Sequence, residues 1–269
     1  ALLPDHPWHN KMGAHWEVSE SAAHQQIERT VEEVTRSYAT RRNHPSVDGT
    51  SRLSPYLAWG QVSPRQICKA ILQAENEGSH RGENKFLVEI GWREFSYHLL
   101  YHFPIIPDQP LRPKYANFPW LDDPDNLKRW QFGKTGYPMV DAGMRQLYET
   151  GWMHNRVRMV VASFLVKHLL LPWQDGARWF WDTLVDADLA SNTQGWQWAA
   201  GCGADAAPYF RIFNPITQGT KFDVRGEYAK RWIPELGNLP SKHLFSPWTA
   251  PPSTLLESGV KLGDNYPDP

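Results

Sequence analysis

The chain of 269 residues is long enough for one large domain or two small ones, and its net charge of -1 excludes an overall basic field that would attract nucleic acid. A local basic patch stays open, because a balanced total can conceal one. Two cysteines cannot build a disulfide framework, which favours a reducing, intracellular setting. No apolar run approaches the roughly 20 residues that span a bilayer. The N-terminus also lacks the blocks of a signal peptide, so a soluble, cytoplasmic protein without a membrane partner is predicted.

Helical periodicity begins at Ser19, and either Ser19 or Ser21 can serve as the N-cap. Apolar residues then recur at spacings of four, three and four, which places them on one helical face: Ile27, Val31, Val34 and Tyr38. A second amphipathic helix is predicted from Ser63, with Pro64 in its first turn and Gly78 near its end.

Further along, apolar residues on several sides of residues 82–104 predict a buried helix that Pro104 ends. Helices are also predicted over residues 137–151, 152–172 and 173–185, the first of them with a proline near its start and a glycine just past its end. Sustained period-two alternation is hard to find, so the predicted fold is all-α. Residues 102–136, rich in Pro, Asp and aromatics, predict an ordered excursion between helices.

Composition divides the chain into a linker-like N-terminal segment at 1–18, a helical domain at 19–236 and a Pro-rich tail at 237–269 that is expected to lie along the surface. No internal repeat is evident. Because residue 1 is alanine and the chain begins on a Pro-rich stretch, a longer parent protein is expected. Tryptophan is unusually abundant, with 14 Trp against 11 Phe and 10 Tyr. That excess favours either a face on which flat rings stack or a relay for electrons.

Two short motifs have weak functional interpretations. Residues 201–206, "GCGADA", fit a dinucleotide fingerprint on paper, but that fingerprint needs a preceding strand and a βαβ unit that a helical chain does not supply. His98 and His102 have the spacing of two metal ligands on a helix, yet no HExxH arrangement accompanies them. Core or rim histidines are therefore favoured, and no metal site is predicted.

A loop at residues 48–66 carries Thr50, Ser51 and Ser54 ahead of a helix, and Arg52 or Arg65 adds charge. Hydroxyls and free backbone N–H groups at a helix N-terminus suit phosphate oxygens. A plain capping loop explains the same residues equally well, so the pattern alone leaves both interpretations open.

The stretch at residues 150–159 places Asn155 and Met159 on one helical face, with Arg156 and Arg158 on others. If Arg158 is buried it needs an acidic partner, because an unpaired buried charge is costly. The "DAD" run at residues 186–188 offers one. A solvated arginine stripe is the alternative.

Together, five stretches resemble the FAD-binding helical domain of the photolyase and cryptochrome family. They are "TSRLSPYLAWGQVSPR", "EIGWREF", "KTGYPMVDAGMRQLYETGWMHNRVRMVVASFLVK", "DADLASNTQGWQW" and "APYFRIFNPITQGTKFD", and the match runs in the family's order from about residue 19 to residue 236. The similarity is greatest to bacterial photolyases that act on cyclobutane pyrimidine dimers. It implies a multi-helical domain that holds bent FAD in a cavity, here without the family's N-terminal α/β antenna domain, so that only flavin absorption is expected.

The resemblance assigns one group of residues to FAD. It places Asn192 opposite the flavin N5, where a neutral amide can accept or donate and favours repair, whereas plant cryptochromes carry Asp there. Phe86 stands where some bacterial members have Trp. The resemblance assigns the remaining residues to the FAD phosphates, to the ribityl and isoalloxazine region, or to the ion pair of Arg158 with Asp186. They are Tyr38, Thr50, Ser51, Arg52, Leu53, Ser54, Arg158, Asp186 and Asp188.

A second group is implied to bind DNA that contains pyrimidine dimers. Extruding the damaged bases costs a few kcal/mol, and stacking on an indole returns roughly 1–3 kcal/mol per base. Glu89 is implied to hydrogen-bond the damaged base, with Trp92 and Trp198 as stacking platforms. Asn155 and Met159 are implied to line the pocket for the damaged bases. Three arginines are implied to lie near the DNA backbone: Arg42, Arg156 and Arg211. Six-four photolyases carry histidines where Asn155 and Met159 stand, so a cyclobutane dimer is the expected lesion.

The resemblance also implies an electron chain from Trp196 beside the flavin through Trp173 to Trp120 at the surface, which no spacing in the sequence reveals. Trp196 and Trp198 are expected to point to opposite sides of an extended or irregular stretch. The implied activity is light-driven repair, a carbon-carbon lyase reaction in which reduced FAD gives an electron to the flipped dimer. A bacterial monomer, nucleoid-associated through DNA and without an obligate protein partner, is expected. A signalling cryptochrome and a flavin-free structural fragment are the alternatives.

Overall fold

The computed structural model describes residues 9–76, 83–206 and 212–269. In these ranges the chain is helical, and its one β-type pairing is an isolated bridge between Leu262 and Tyr266, which confirms the predicted all-α fold. Within the same ranges, none of the helices combines the length and the apolar character that crossing a bilayer requires. The α-helices in chain order are α1 His9–Gly13, α2 Glu20–Arg29, α3 Tyr38–Arg41, α4 Ser54–Ala58, α5 Pro64–Asn76, α6 Glu83–His102, α7 Pro124–Gln131, α8 Pro138–Thr150, α9 Asn155–Ser163, α10 Trp173–Thr183, α11 Leu189–Ala200, α12 Pro215–Phe222, α13 Glu227–Trp232, α14 Ser241–Leu244 and α15 Pro252–Glu257.

The helix ends follow the capping chemistry of the sequence. The Ser19 hydroxyl accepts from the backbone N–H of Ala22 at 3.0 Å and begins α2. Pro138 opens α8, and Gly151 closes it in the left-handed conformation with φ 68°. Gly78, the predicted end of the second helix, lies outside the described residues.

The long helix predicted from Ser19 is not regular throughout. After α2 the chain forms a π-helical turn over Thr30–Val34, a 3-10 turn over Thr35–Ser37 and then α3. The hydroxyls of Thr30 and Thr35 donate to the carbonyls four residues earlier, at 2.6 and 2.9 Å. Such bonds compete with the regular ladder and distort it.

Two clusters of buried apolar side chains form the core. The larger one lies among α8, α9, α10, α11 and α13, and the smaller one joins α2, α3, α5 and α6. Gly143 of α8 faces the Val157 side chain of α9 so closely that a Cβ there would overlap it. The two helices can approach this closely only with glycine at that position.

The prediction that residues 82–104 form a buried helix is wrong as to burial. Helix α6 ends at His102, as Pro104 requires, but Trp92, Phe95 and Tyr101 are exposed. The helix packs against α3, α5 and α11, and these contacts leave part of its apolar surface exposed. His98 and His102 also lie on the exposed side, with ring centroids 4.4 Å apart, so they are not core residues. Among the described residues, no group of three or more His, Cys, Asp or Glu side chains is placed to hold a metal ion.

The segments outside the central helices also pack. Residues 102–136 contain α7, whose Trp130 is fully buried and donates to the Val161 carbonyl at 3.0 Å. Residues 237–269 do not simply lie along the surface, because Leu239, Leu244 and Tyr266 are buried in the larger cluster. The domain boundaries at residues 18 and 236 stay predictions.

Candidate functional site

A cavity of about 620 Å³ opens between α6, α9, α11 and the loop that precedes α4. Its volume falls in the range of about 300–1,000 Å³ that is typical of small-molecule sites. Most residues that the sequence singled out line it: Tyr38, Arg42, Thr50, Ser51, Arg52, Leu53, Ser54, Phe86, Glu89, Trp92, Asn155, Arg158, Met159, Asp186, Asp188, Asn192, Trp196 and Trp198.

Three of the predicted residues that the structure describes stand apart from this lining. Arg156 donates to the Asn43 side-chain oxygen at 2.7 Å, and its guanidinium lies 4.4 Å from the centre of the Phe222 ring. Trp173 is buried at the start of α10, and Trp120 is half-buried against the larger core cluster. Arg211 lies outside the described residues.

A buried ion pair anchors one wall. Arg158 donates through Nη2 to both oxygens of Asp186, at 2.8 and 3.1 Å, and the Ser54 hydroxyl donates to the same carboxylate at 2.6 Å. The Asp186 side chain is only 2% exposed, so these bonds offset its loss of hydration. The acidic partner predicted for Arg158 is therefore present, and the Ser54 proton is committed to Asp186.

The loop at residues 50–54 has an unusual backbone. Arg52 adopts the left-handed conformation with φ 50°, which is strained for a residue with a Cβ. Its guanidinium stacks 5.1 Å from the Trp152 ring centre and pairs with Asp48 at 3.7 Å. The Gln26 side chain donates to the Ser51 carbonyl at 2.5 Å, so the loop is held from behind while its other side faces the cavity.

The side chains of Arg42, Arg52 and Arg158 line this side of the cavity. His154, the N-cap of α9, is buried, and its Nδ1 accepts from the Arg156 N–H at 3.1 Å. Burial, together with the guanidiniums of Arg156, Arg158, Arg42 and Arg52, lowers the pKa of His154 from 6.5 to about 3. Guanidinium groups that line a cavity can bind an anionic group such as a diphosphate.

Glu89 projects from α6 beside two cations. Arg42 donates to it through Nη1 in a short hydrogen bond, and the Lys85 ammonium lies 3.4 Å away. The Arg42 guanidinium also lies 5.1 Å from the centre of the Tyr38 ring. Burial raises the pKa of Tyr38 to about 12, so its phenol stays neutral. Glu89 and Arg42, which the resemblance assigned to the damaged base and the DNA backbone, are thus paired with each other.

Helix α11 carries Asn192, Trp196 and Trp198. The extended or irregular stretch expected around the two indoles is wrong, because the run from "SNTQ" to "WQW" is helical. Two residues on a helix differ by about 200° in direction, so the indoles still point different ways. Trp196 packs against Phe180 with ring centroids 5.0 Å apart, whereas Trp198 meets Phe213 at 5.9 Å.

The Asn192 amide has a fixed orientation. Its Nδ2 donates to the Ala177 carbonyl at 2.9 Å, which leaves the Oδ1 as the acceptor available to the cavity. One turn later Trp196 is buried, and its Nε1 has no hydrogen-bond partner. A buried orphan donor in a cavity wall, next to a presented acceptor, suits a polar aromatic ligand.

Gly176 of α10 allows Trp196 to lie where it does, since a Cβ at this position would overlap the benzo ring of the indole. We expect Gly176→Ala to cost about 1–3 kcal/mol of unfolding free energy through overpacking. Gly91→Ala in α6 is the matched control, because its Cβ would meet open space and should stabilise by roughly 0.5–1 kcal/mol. Urea unfolding measures both, and equal effects would contradict the packing argument.

The comparisons with known proteins agree with this geometry. Residues 86–269 match the family model described as the FAD binding domain of DNA photolyase. The chain belongs to this family. FAD is accordingly its cofactor, and the cavity volume, the arginines that line the cavity and the Asn192 acceptor fit this group.

Relatives of the chain include both photolyases and cryptochromes. The chain is 47% identical to a deoxyribodipyrimidine photo-lyase of Agrobacterium fabrum over all of the chain and 56% of that protein. It is 43% identical to cryptochrome-2 of Arabidopsis thaliana over 94% of the chain and 43% of that protein. A crystal structure of a class III photolyase from Agrobacterium tumefaciens superposes with a TM-score of 0.95 at 47% identity, covering 99% of this chain and 55% of that one. The chain thus spans about half the length of these relatives.

Sequence reasoning missed Tyr97, whose hydroxyl donates to Asp188. The signal was present, because Glu89, Arg93 and Tyr97 follow one another at intervals of four along α6 and so share a face. It could not be used without knowing that this face meets the start of α11.

Proposed function

We propose that the protein repairs cyclobutane pyrimidine dimers in DNA with light. The observation that carries this proposal is a single continuous cavity lined both by the residues assigned to FAD and by those assigned to the lesion. A cofactor and a flipped-out dimer held in one cavity lie close enough for direct electron transfer. The identity with deoxyribodipyrimidine photo-lyases supports the same substrate.

The cofactor would be held by groups of complementary chemistry. Thr50, Ser51 and Arg52 line the cavity and offer hydroxyl and guanidinium donors to phosphate oxygens, and Phe86 adds an apolar surface. Asp188 presents an acceptor to ligand hydroxyls, and Asn192 presents its Oδ1 to a ring N–H. Bound FAD in its reduced form would supply the electron that light drives onto the lesion.

The lesion would occupy the part of the cavity near α6 and α9. Trp92 and Trp198 offer ring faces, and stacking contributes roughly 1–3 kcal/mol per base. Asn155 and Met159 lie one turn apart, and the distance between Asn155 Nδ2 and Met159 Sδ is 4.0 Å. Neither side chain can transfer a proton to the lesion as an acid, which a pair of histidines could do. Glu89 would bond the base edge. This chemistry favours the cyclobutane dimer over the six-four lesion.

Contacts to the DNA backbone are proposed for Arg42, Arg156 and Arg211. Arg42 and Arg156 are partly buried and already bonded, to Glu89 and Asn43 respectively. Phosphate oxygens are stronger acceptors than the Asn43 amide, so backbone binding can displace at least that contact. We also propose that the protein acts in the cytoplasm and is a monomer. Light scattering on the purified protein tests whether it is a monomer.

The electron chain from Trp196 through Trp173 to Trp120 is proposed for reducing the flavin. Its support is a gradient of burial, with the first two indoles in the core and Trp120 half-buried. Trp196 also lines the cavity, whereas the other two do not.

The two indoles of α11 should give different defects. We expect Trp196→Phe to slow light-driven flavin reduction while sparing repair by chemically prereduced protein. Trp198→Ala should weaken binding of dimer-containing DNA roughly tenfold, because a stacking platform is lost. Trp181→Phe, in an exposed position outside the cavity, is the control and should change neither property. The same defect from both α11 substitutions would contradict this division of roles.

The test of the main proposal is a light-dependent repair assay. Reduced protein is mixed with an oligonucleotide that contains one thymine dimer and is illuminated with blue or near-ultraviolet light, while a second sample stays dark. Recovery of intact thymines only in the light supports repair. Unchanged dimer after illumination of flavin-loaded protein refutes it.

A cryptochrome photoreceptor is the second candidate, favoured by the identity with cryptochrome-2. The neutral Asn192 counts against it, because plant cryptochromes carry Asp at the matching position. Binding to dimer-containing DNA in clear preference to intact DNA would argue against a purely signalling role.

A further inference from the structure

Tyr97 connects two walls of the cavity. Its hydroxyl donates to Oδ2 of Asp188 in a short hydrogen bond and accepts from Nη2 of Arg93 at 3.2 Å. The Arg93 guanidinium also lies 4.6 Å from the centre of the Tyr97 ring. Arg93 and Asp188 both line the cavity, whereas Tyr97, which is 41% exposed, does not.

Asp188 in turn holds the beginning of α11. Its Oδ1 accepts from the Ser191 N–H at 2.7 Å, and its backbone carbonyl accepts from the Asn192 N–H at 2.8 Å. Each carboxylate oxygen therefore has one protein partner, which fixes the plane of the carboxylate. Without the Tyr97 hydroxyl, only the Ser191 N–H would restrain it.

The chemistry makes Tyr97 a dependable donor. Burial and the bond to Asp188 raise the pKa of Tyr97 to about 12, so the phenol keeps its proton throughout the neutral range. Arg93 donates through Nη2 to a lone pair of the same oxygen. The proton of Tyr97 thus points to Asp188, and the remaining lone pairs of Asp188 can bond only to ligand groups that donate.

We propose that Tyr97 is a positioning residue, which fixes the Asp188 carboxylate so that it accepts from a hydroxyl or N–H group of the bound flavin nucleotide. The proposal rests on FAD occupying this cavity. It adds a residue on α6 that acts through Asp188 without touching the ligand.

The test compares Tyr97→Phe with Tyr101→Phe, one turn further along α6, where the ring is 82% exposed. FAD affinity of flavin-free protein is measured by fluorescence titration. We expect Tyr97→Phe to weaken it about tenfold, the size of effect that follows from losing a bond to a charged group. Tyr101→Phe should remain within twofold of the unsubstituted protein.

Two further measurements separate positioning from general structural support. In flavin-free Tyr97→Phe, the amide hydrogens of Ser191 and Asn192 should exchange about tenfold faster, whereas those in the middle of α8 should not change. In an Asp188→Asn background, Tyr97→Phe should cause no additional loss of FAD affinity, because the residue acts through that carboxylate.

Unchanged affinity and exchange in Tyr97→Phe would overturn the inference, as would a full further loss in the Asp188→Asn background. Failure of the unsubstituted protein to bind FAD would instead refute the proposed function. In that case, the amide exchange at Ser191 and Asn192 still decides whether Tyr97 positions Asp188.

Discussion

Arg158→Met is expected to cost about 3–5 kcal/mol of unfolding free energy, because it leaves the Asp186 carboxylate buried without its cation. Methionine keeps most of the apolar stem of arginine, so the loss reports mainly the missing guanidinium, which also donates through Nε to the Met153 carbonyl at 2.8 Å. Asp186 lines the cavity, so FAD retention should fall as well. Urea unfolding and the flavin content of purified protein measure the two effects.

Arg178→Met is the matched control for this substitution. Arg178 pairs with Asp175 on α10, but its side chain is 73% exposed. An exposed pair contributes at most about 1 kcal/mol, so the control should unfold almost as the parent does. Adding Asp186→Asn to Arg158→Met removes the stranded charge and should recover part of the loss. Equal costs at Arg158 and Arg178 would show that Asp186 is not effectively buried.

His154 should make the fold sensitive to mild acid. Its pKa is about 3 in the folded protein against an ordinary 6.5, so the unfolded chain binds a proton that the folded protein excludes. Its contribution to stability is therefore complete above about pH 6.5 and declines as the pH falls towards 3. The slope is about 1.4 kcal/mol per pH unit, which amounts to about 2 kcal/mol between pH 6.5 and pH 5.

His154→Asn isolates this contribution. Asparagine can still cap α9 through its side-chain oxygen, but it has no proton to gain. We expect the parent protein to lose about 2 kcal/mol more than the variant over that interval, measured by urea unfolding at each pH. Parallel pH profiles for the two proteins would contradict the assignment of a buried, neutral His154.

Much of the fold was predictable because its signals are local. Serine, proline and glycine at helix ends act within a few residues, so Ser19, Pro138 and Gly151 were placed correctly. The acidic partner of Arg158 followed from the cost of burying a lone charge. The family was predictable from residues spread over most of the chain, and the matching family model confirms it.

What could not be predicted depends on which surfaces meet. The apolar circumference of α6 indicated burial, but only packing against α3, α5 and α11 decides which side is covered. Arg42 and Glu89, which pair with each other, are 47 positions apart in the sequence. Tyr97 and Asp188 are 91 positions apart. Proline content indicated a surface tail after residue 236, whereas the contacts of Tyr266 lie in the core.

The Tyr266 phenol has a consequence for how the protein can be shortened. It donates at 2.7 Å to Asp141, a fully buried carboxylate that otherwise relies on Thr135 and Gly136, and Arg129 bonds the Asp268 carbonyl nearby at 2.9 Å. A truncation at the proline-rich boundary would remove that donor and expose the apolar floor beneath it. This tail therefore stabilises the helices around α8, although none of its residues lines the cavity.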